Sequence, residues 1–173
     1  MQLTLDVKDI PEGGSSAIIS SCGNYRYSLS RIWDKSKPTV LFVMLNPSTA
    51  DELENDNTIN RCIGFAKSWG YGGLYVANLF SYRSRNPKAL LNTKDPFGEK
   101  NESTLYRLQE ECEIVVCAWG NYPIVNKILK GKDPLDFYVF DKEKLHYLKL
   151  SKNGTPTHPL YLKSSLVPIK FNI

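Results

Sequence analysis

The 173-residue chain has only two histidines and four cysteines. Cys22, Cys62, Cys112 and Cys117 form no Cys-x-x-Cys pair, and their spacing does not suit a zinc or iron–sulfur site, so neither a metal nor a cofactor is expected. Cys62 and Cys117 have apolar neighbours and read as core filler. No apolar run approaches the ~20 residues needed to cross a bilayer, so no membrane is expected as partner. Residues 1–10 carry acids and lack the apolar stretch of a secretory signal. A cytoplasmic protein with reduced thiols is therefore expected.

Three ligand-binding signatures are also missing. There is no glycine-rich loop ending in Lys-Ser or Lys-Thr, no Gly-x-Gly-x-x-Gly after the first buried strand, and no Gly-x-Ser-x-Gly elbow. These absences argue against a P-loop NTPase, a dinucleotide enzyme and an α/β-hydrolase. Neither sign of charge dominates: 22 Lys plus Arg face 18 Asp plus Glu, a formal charge of +4. That balance permits phosphate contacts without requiring them.

What is present is an ordinary globular composition, 42% hydrophobic and 23% charged, over a length that suits a single domain spanning residues 1–173. Two β-like runs, Ala17-Ile18-Ile19-Ser20 and Tyr25-Arg26-Tyr27-Ser28-Leu29, flank the turn signal Cys22-Gly23-Asn24, which predicts a hairpin over about 16–32. Its second run alternates apolar with polar residues, as a strand covered on one face does. Thr39-Val40-Leu41-Phe42-Val43-Met44-Leu45 is continuously apolar and reads as a strand buried on both faces. Ile59, Cys62, Ile63, Ala66 and Trp69 then recur at helical spacing up to Gly70. A second buried strand is predicted at 73–80, a helix around 99–112, a third strand at 114–119 and a helix at 123–129. Phe137-Tyr138-Val139-Phe140 is the fourth strand candidate, with 144–150 as its rival, and the tail from Thr155 reads as loop. Alternating strands and helices predict a three-layer α/β/α sandwich around a small, mainly parallel sheet, with the hairpin packed on that core.

In such a sheet, ligands bind beyond the carboxyl ends of the strands. The first strand ends in Asn46-Pro47-Ser48-Thr49-Ala50-Asp51, the second in Asn78-Leu79-Phe80-Ser81-Tyr82-Arg83, and the third in Trp119-Gly120-Asn121; a further loop carries His158-Pro159-Leu160-Tyr161. Singly, each has a plainer reading. Asn46 suits a turn, Ser48 or Asp51 suits a helix N-cap, Asp56, Asn57 and Arg61 suit capping or pairing across the next helix, Trp119 suits packing, and His146 is structural. Asp51, Glu54, Asp56 and Asn57 also present clustered oxygens of the kind hard cations use, although a solvated loop ahead of a capped helix accounts for them better. Together, two amides and a histidine converge on one rim.

These motifs resemble, over nearly the whole chain, a bacterial and phage family of unknown function. Their order more distantly resembles the uracil-DNA glycosylase superfamily. There an apolar strand ends in Asn-Pro in the mismatch-specific branch, as at Asn46-Pro47; a later strand ends in an asparagine that reads the base edge, as at Asn78; a third ends in glycine, as at Gly120; and a His-Pro loop follows, as at His158-Pro159. Ser48 stands where the mismatch-specific branch has glycine. The resemblance implies an N-glycosidase acting on a nucleobase in DNA or a nucleotide. In that reading Asn46 holds the attacking water and His158 donates to the departing base. Asn78, Pro47, Ser48, Phe80, Tyr82 and Trp119 bind the ligand, Arg83, Arg85 and Lys88 hold phosphates, and a residue among Leu160 to Leu162 wedges duplex DNA. The alternative is a protein, of phage origin in one version of this reading, that binds or sequesters a nucleotide without cutting it. The identity of the base and the oligomeric state are left open by the sequence.

Overall fold

The computed structural model describes residues 14–173, so the acidic segment at 1–10 lies outside the described residues. In chain order the elements are β1 (Ser15–Ile19), β2 (Arg26–Ile32), β3 (Thr39–Met44), α1 (Asn57–Ser68), β4 (Gly73–Asn78), a 3-10 turn at Pro87–Leu91, α2 (Asn101–Glu111), β5 (Ile114–Cys117), α3 (Pro123–Ile128), α4 (Pro134–Phe137), β6 (Leu145–Tyr147), a 3-10 turn at Pro159–Tyr161, and β7 (Ile169–Lys170).

The strands form one mixed sheet in the order β1-β2-β4-β3-β5-β6-β7. Its centre, β4-β3-β5-β6, is parallel, while β1–β2, β2–β4 and β6–β7 pair antiparallel. The α/β class therefore holds, but among the described residues the sheet has seven strands and is not mainly parallel: half its pairings are antiparallel. The predicted hairpin does not pack on the core from outside. It extends the sheet, because β2 completes the hydrogen bonding of β4, with Leu29 opposite Val76.

Both faces of the sheet are covered, as the uninterrupted apolar run of β3 requires. Val40, Phe42, Leu74, Val76 and Val116 pack against Ile59, Cys62, Phe65 and Ala66 of α1. Leu41, Val43, Tyr75, Val115 and Cys117 pack on the other side against Leu105 and Leu108 of α2 and Ile124 and Val125 of α3. Cys62 and Cys117 are wholly buried in these two layers.

Three expectations along the chain are corrected. The fourth parallel strand is at 145–147, within the rival segment, and not at 137–140. Asp133 caps a short helix by accepting the Leu135 amide, Pro134 starts that helix, and Tyr138 and Phe140 then fold into the core. The tail from Thr155 is not all loop, since it carries the 3-10 turn and β7. β2 also departs from the one-sided pattern: all seven residues are buried, including Arg26, Ser28, Ser30 and Arg31. Arg26 and Arg31 reach the loop at 45–56, where Arg26 Nη1 donates to the Ala50 carbonyl at 2.9 Å and Arg31 donates to the carbonyls of Asp51 and Glu54. Of the described helices, none is long and apolar enough to cross a membrane.

Candidate functional site

The loops after β3 and β4, the start of α1 and the loop before the second 3-10 turn enclose a cavity of about 140 Å³. Asn46, Ser48, Asn78, Arg85 and His158 line it, together with Arg26, Asp56, Thr58, Ser84 and Tyr122. Its size is that of a handful of waters at ~30 Å³ each. A ligand larger than a few waters would extend through the mouth of the cavity. Tyr122 also lines a larger cleft of about 540 Å³ bounded by α3, α4 and 153–156.

Asn46 is fixed by its amide. Its Nδ2 lies 3.2 Å from the Pro47 carbonyl, 3.3 Å from that of Tyr82 and 3.0 Å from that of Ser84. Three acceptors on one side settle which end of the carboxamide is nitrogen. Together with the Ser84 amide donating to the Pro47 carbonyl at 2.9 Å, they tie the loop after β3 to the loop after β4. The Asn46 Oδ1 accepts none of the described side-chain hydrogen bonds.

Asn78 closes β4 opposite Met44 in the parallel register. It is 1% exposed, yet neither its Nδ2 nor its Oδ1 has a hydrogen-bond partner among the described residues. Buried side-chain amides are almost always paired, and an unpaired one at a cavity wall leaves a donor and an acceptor available there.

His158 caps the second 3-10 turn: its Nδ1 accepts the Leu160 amide at 3.3 Å. Accepting at Nδ1 leaves the proton of the neutral ring on Nε2. Burial lowers the imidazole below its ordinary value, and Asp56 pulls it partly back up. The ring is therefore a neutral N–H donor near pH 7. Gly120 holds the neighbouring loop in place, its amide donating to the Pro156 carbonyl at 2.9 Å. Its φ of +81° belongs to the left-handed region, and a Cβ there would lie 2.7 Å from the Tyr122 ring and 3.5 Å from the His158 Cβ.

The lowered His158 value has a consequence for stability. Below about pH 6.5 the unfolded chain takes up a proton that the folded chain refuses, so stability falls as pH drops toward the folded value and levels off beneath it. His158→Asn keeps a cap acceptor for the Leu160 amide and removes the titration. The variant should lose less thermal stability than the wild type between about pH 7.5 and about pH 5.5, as measured by melting at each pH. Equal losses in the two proteins would count against a lowered His158.

The remaining predicted site residues lie elsewhere. Phe80 is fully buried on the α2 side, edge-on to Phe97 at 5.4 Å. Trp119 is 2% exposed in the same core layer, as the plain packing reading had it. Tyr82 packs edge-on against Tyr25 at 5.7 Å. Arg83 Nη1 donates to the Gly23 carbonyl at 3.3 Å. Pro47, Arg83 and Lys88 are not among the residues lining the cavity. Leu162 is buried in the α1 layer, whereas Tyr161 is 93% exposed. The N-cap of α1 is Asp56, accepting the Ile59 amide at 2.9 Å, and neither Ser48 nor Asp51. Asp51 instead accepts the amides of Leu53 and Glu54. Among the described residues no group of three or more His, Cys, Asp or Glu is placed to hold a metal ion.

Sequence reasoning missed Arg26. It begins a strand antiparallel to β4, so it arrives at the rim where the parallel strands end, and its amide donates to the Ser81 carbonyl at 3.0 Å. The signal was an arginine inside a β-like run.

These features define an α/β protein with a small polar cavity at the carboxyl ends of its parallel strands. The chain belongs to the family described as "Protein of unknown function (DUF1643)", which it matches over residues 26–160. That span encloses every residue lining the cavity. No curated protein and no solved structure matches the chain.

Proposed function

We propose that the cavity binds a nucleobase and that the protein is a cytoplasmic N-glycosidase acting on a nucleotide or on a base in DNA. The observation that carries this reading is Asn78, a buried carboxamide with neither polar atom paired among the described residues, at the wall of a small polar cavity. A donor and an acceptor side by side match the edge of a base. Asn46 and His158 at the same cavity, and the order of motifs shared with the uracil-DNA glycosylase superfamily, support it further.

The chemistry asks little of the protein. The bond from C1′ to the base nitrogen breaks, and its electron pair leaves with the base. The sugar becomes oxocarbenium-like, water adds to C1′, and the proton that the added water gives up ends on the departed base anion, so that neutral base and sugar hemiacetal are the products. The Nε2–H of His158 stabilises the departing anion, an effect worth roughly 3–4 kcal/mol for one donor. The free Oδ1 of Asn46 accepts a hydrogen bond from the attacking water and orients it.

The test is base release, followed by chromatography, from uracil-, mismatch- and modified-base DNA and from free nucleotides. The wild type should release one base selectively, and His158→Ala should slow release about 10²–10³-fold. No release from any substrate would overturn the glycosidase. Binding without release would instead support a sequestering protein. One observation favours that second reading: the Asn46 amide is spent on three backbone carbonyls, a structural tie that needs no catalysis. A pure binder would tolerate loss of Asn46 better than loss of Asn78.

A further inference from the structure

Asn78 is not the only buried polar group left unpaired here. Arg26 also lines the cavity and is 2% exposed. Its Nη1 is used on the Ala50 carbonyl, but its Nε has no partner among the described residues. No described carboxylate forms an ion pair with it, the two described ion pairs being Lys37–Asp34 and Lys170–Glu143. A guanidinium withdrawn from water is costly unless an anion compensates it.

The surroundings add to the imbalance. Arg85 brings a second guanidinium to the same cavity, and the hydroxyls of Ser48 and Thr58 add donors. The one carboxylate in the lining, Asp56, is engaged as the cap of α1. Burial, Arg83 and Arg31 pull Arg26 down to about 10 against the opposing pull of Asp56 and Asp51, which leaves it charged at neutral pH. Among the described lining residues two guanidinium groups accompany one carboxylate.

Resting on the nucleobase reading of this cavity, we propose that its ligand carries a phosphate monoester held by Arg26 and Arg85, so that the substrate class is a free nucleotide and not a base within DNA. Arg26 is buried, so a terminal phosphate that enters the cavity would reach it, whereas a polymer backbone would stay at the mouth, where Arg85 is exposed. Of the three residues predicted to hold phosphates, only Arg85 lines the cavity.

The experiment is calorimetric titration of the full chain with inorganic phosphate, with each common deoxynucleoside, with its 5′-monophosphate, and with a single-stranded oligonucleotide lacking terminal phosphates. Wild type, Arg85→Gln and Arg26→Gln are compared. Arg85 is exposed, so its variant keeps the proposal falsifiable if Arg26→Gln does not fold. One monophosphate should bind at least about tenfold tighter than its nucleoside, a preference equivalent to one charge-assisted contact. Inorganic phosphate should compete with it, and Arg85→Gln should erase most of the preference. Equal affinity for nucleoside and monophosphate would overturn the phosphate site and leave the nucleobase reading standing. Binding of inorganic phosphate with neither nucleoside nor nucleotide binding would do the reverse. An oligonucleotide that outcompetes every monophosphate would overturn the free-nucleotide class, and failure of every ligand to bind would overturn both readings.

Discussion

Asn78→Leu should abolish binding of the proposed nucleobase ligand and leave the protein at least as stable as the wild type. This is the largest functional effect expected of any single substitution. Most buried substitutions cost about 1 kcal/mol or more. Asn78 differs because its amide makes no bond to the described protein, so leucine of similar size loses none. An apolar group in place of an unpaired polar one is neutral or stabilising, by about 1 kcal/mol here. Binding behaves oppositely. A ligand edge that met both a donor and an acceptor would be left unpaired against leucine, and such mismatches cost several orders of magnitude in discrimination. Urea unfolding gives the stability and titration of the ligand gives the affinity. A stability loss beyond about 2 kcal/mol would show that Asn78 serves the fold, and the site would lose its main support.

Asn46→Asp has the largest expected effect on stability among the site residues. The present Nδ2 faces the carbonyls of Pro47, Tyr82 and Ser84. A carboxylate oxygen in its place points at three other acceptors, losing those hydrogen bonds and adding repulsion. The expected cost is about 2–4 kcal/mol near neutral pH, within the range for unsatisfied and charged groups. The sign of its pH dependence follows. The new carboxyl has a folded pKa raised above its unfolded ~3.9, because only its protonated form can donate to a carbonyl. Folding then binds a proton, so stability relative to the wild type is lost as pH rises through that window and regained as pH falls. Denaturant midpoints measured across acid and neutral pH check this. A deficit independent of pH would mean that the Asn46 amide is not held as described. Base release should fall in the same variant, since the loops after β3 and β4 are no longer tied together.

The two asparagines show how far a sequence carries such a site. That Asn46, Asn78 and His158 share one cavity followed from strand periodicity and the rule that parallel strands present their carboxyl ends together. Ser48 and Arg85 came with them. Phe80, Tyr82 and Trp119 did not, because loop residues past a strand end no longer alternate between faces, and large aromatics are drawn into whichever layer has space. Arg83 and Lys88 do not line the cavity either: their charges suit phosphate contact, but charge fixes no direction. Arg26 was hidden by strand pairing. Nothing in the run around it says that β2 lies antiparallel beside β4 and is buried on both faces.

The sequence by itself determined the α/β class, the buried central strands, α1 with its capped start, the cysteines of the core and the loops that carry polar side chains. These are local matters of period, cap and composition. Only the tertiary structure decided the mixed character of the sheet, the choice of 145–147 over 137–140, the antiparallel delivery of Arg26 to the rim, and which of the rim residues face inward. Those depend on pairing between strands distant along the chain and on competition for the same buried volume, and neither leaves a pattern in any one segment.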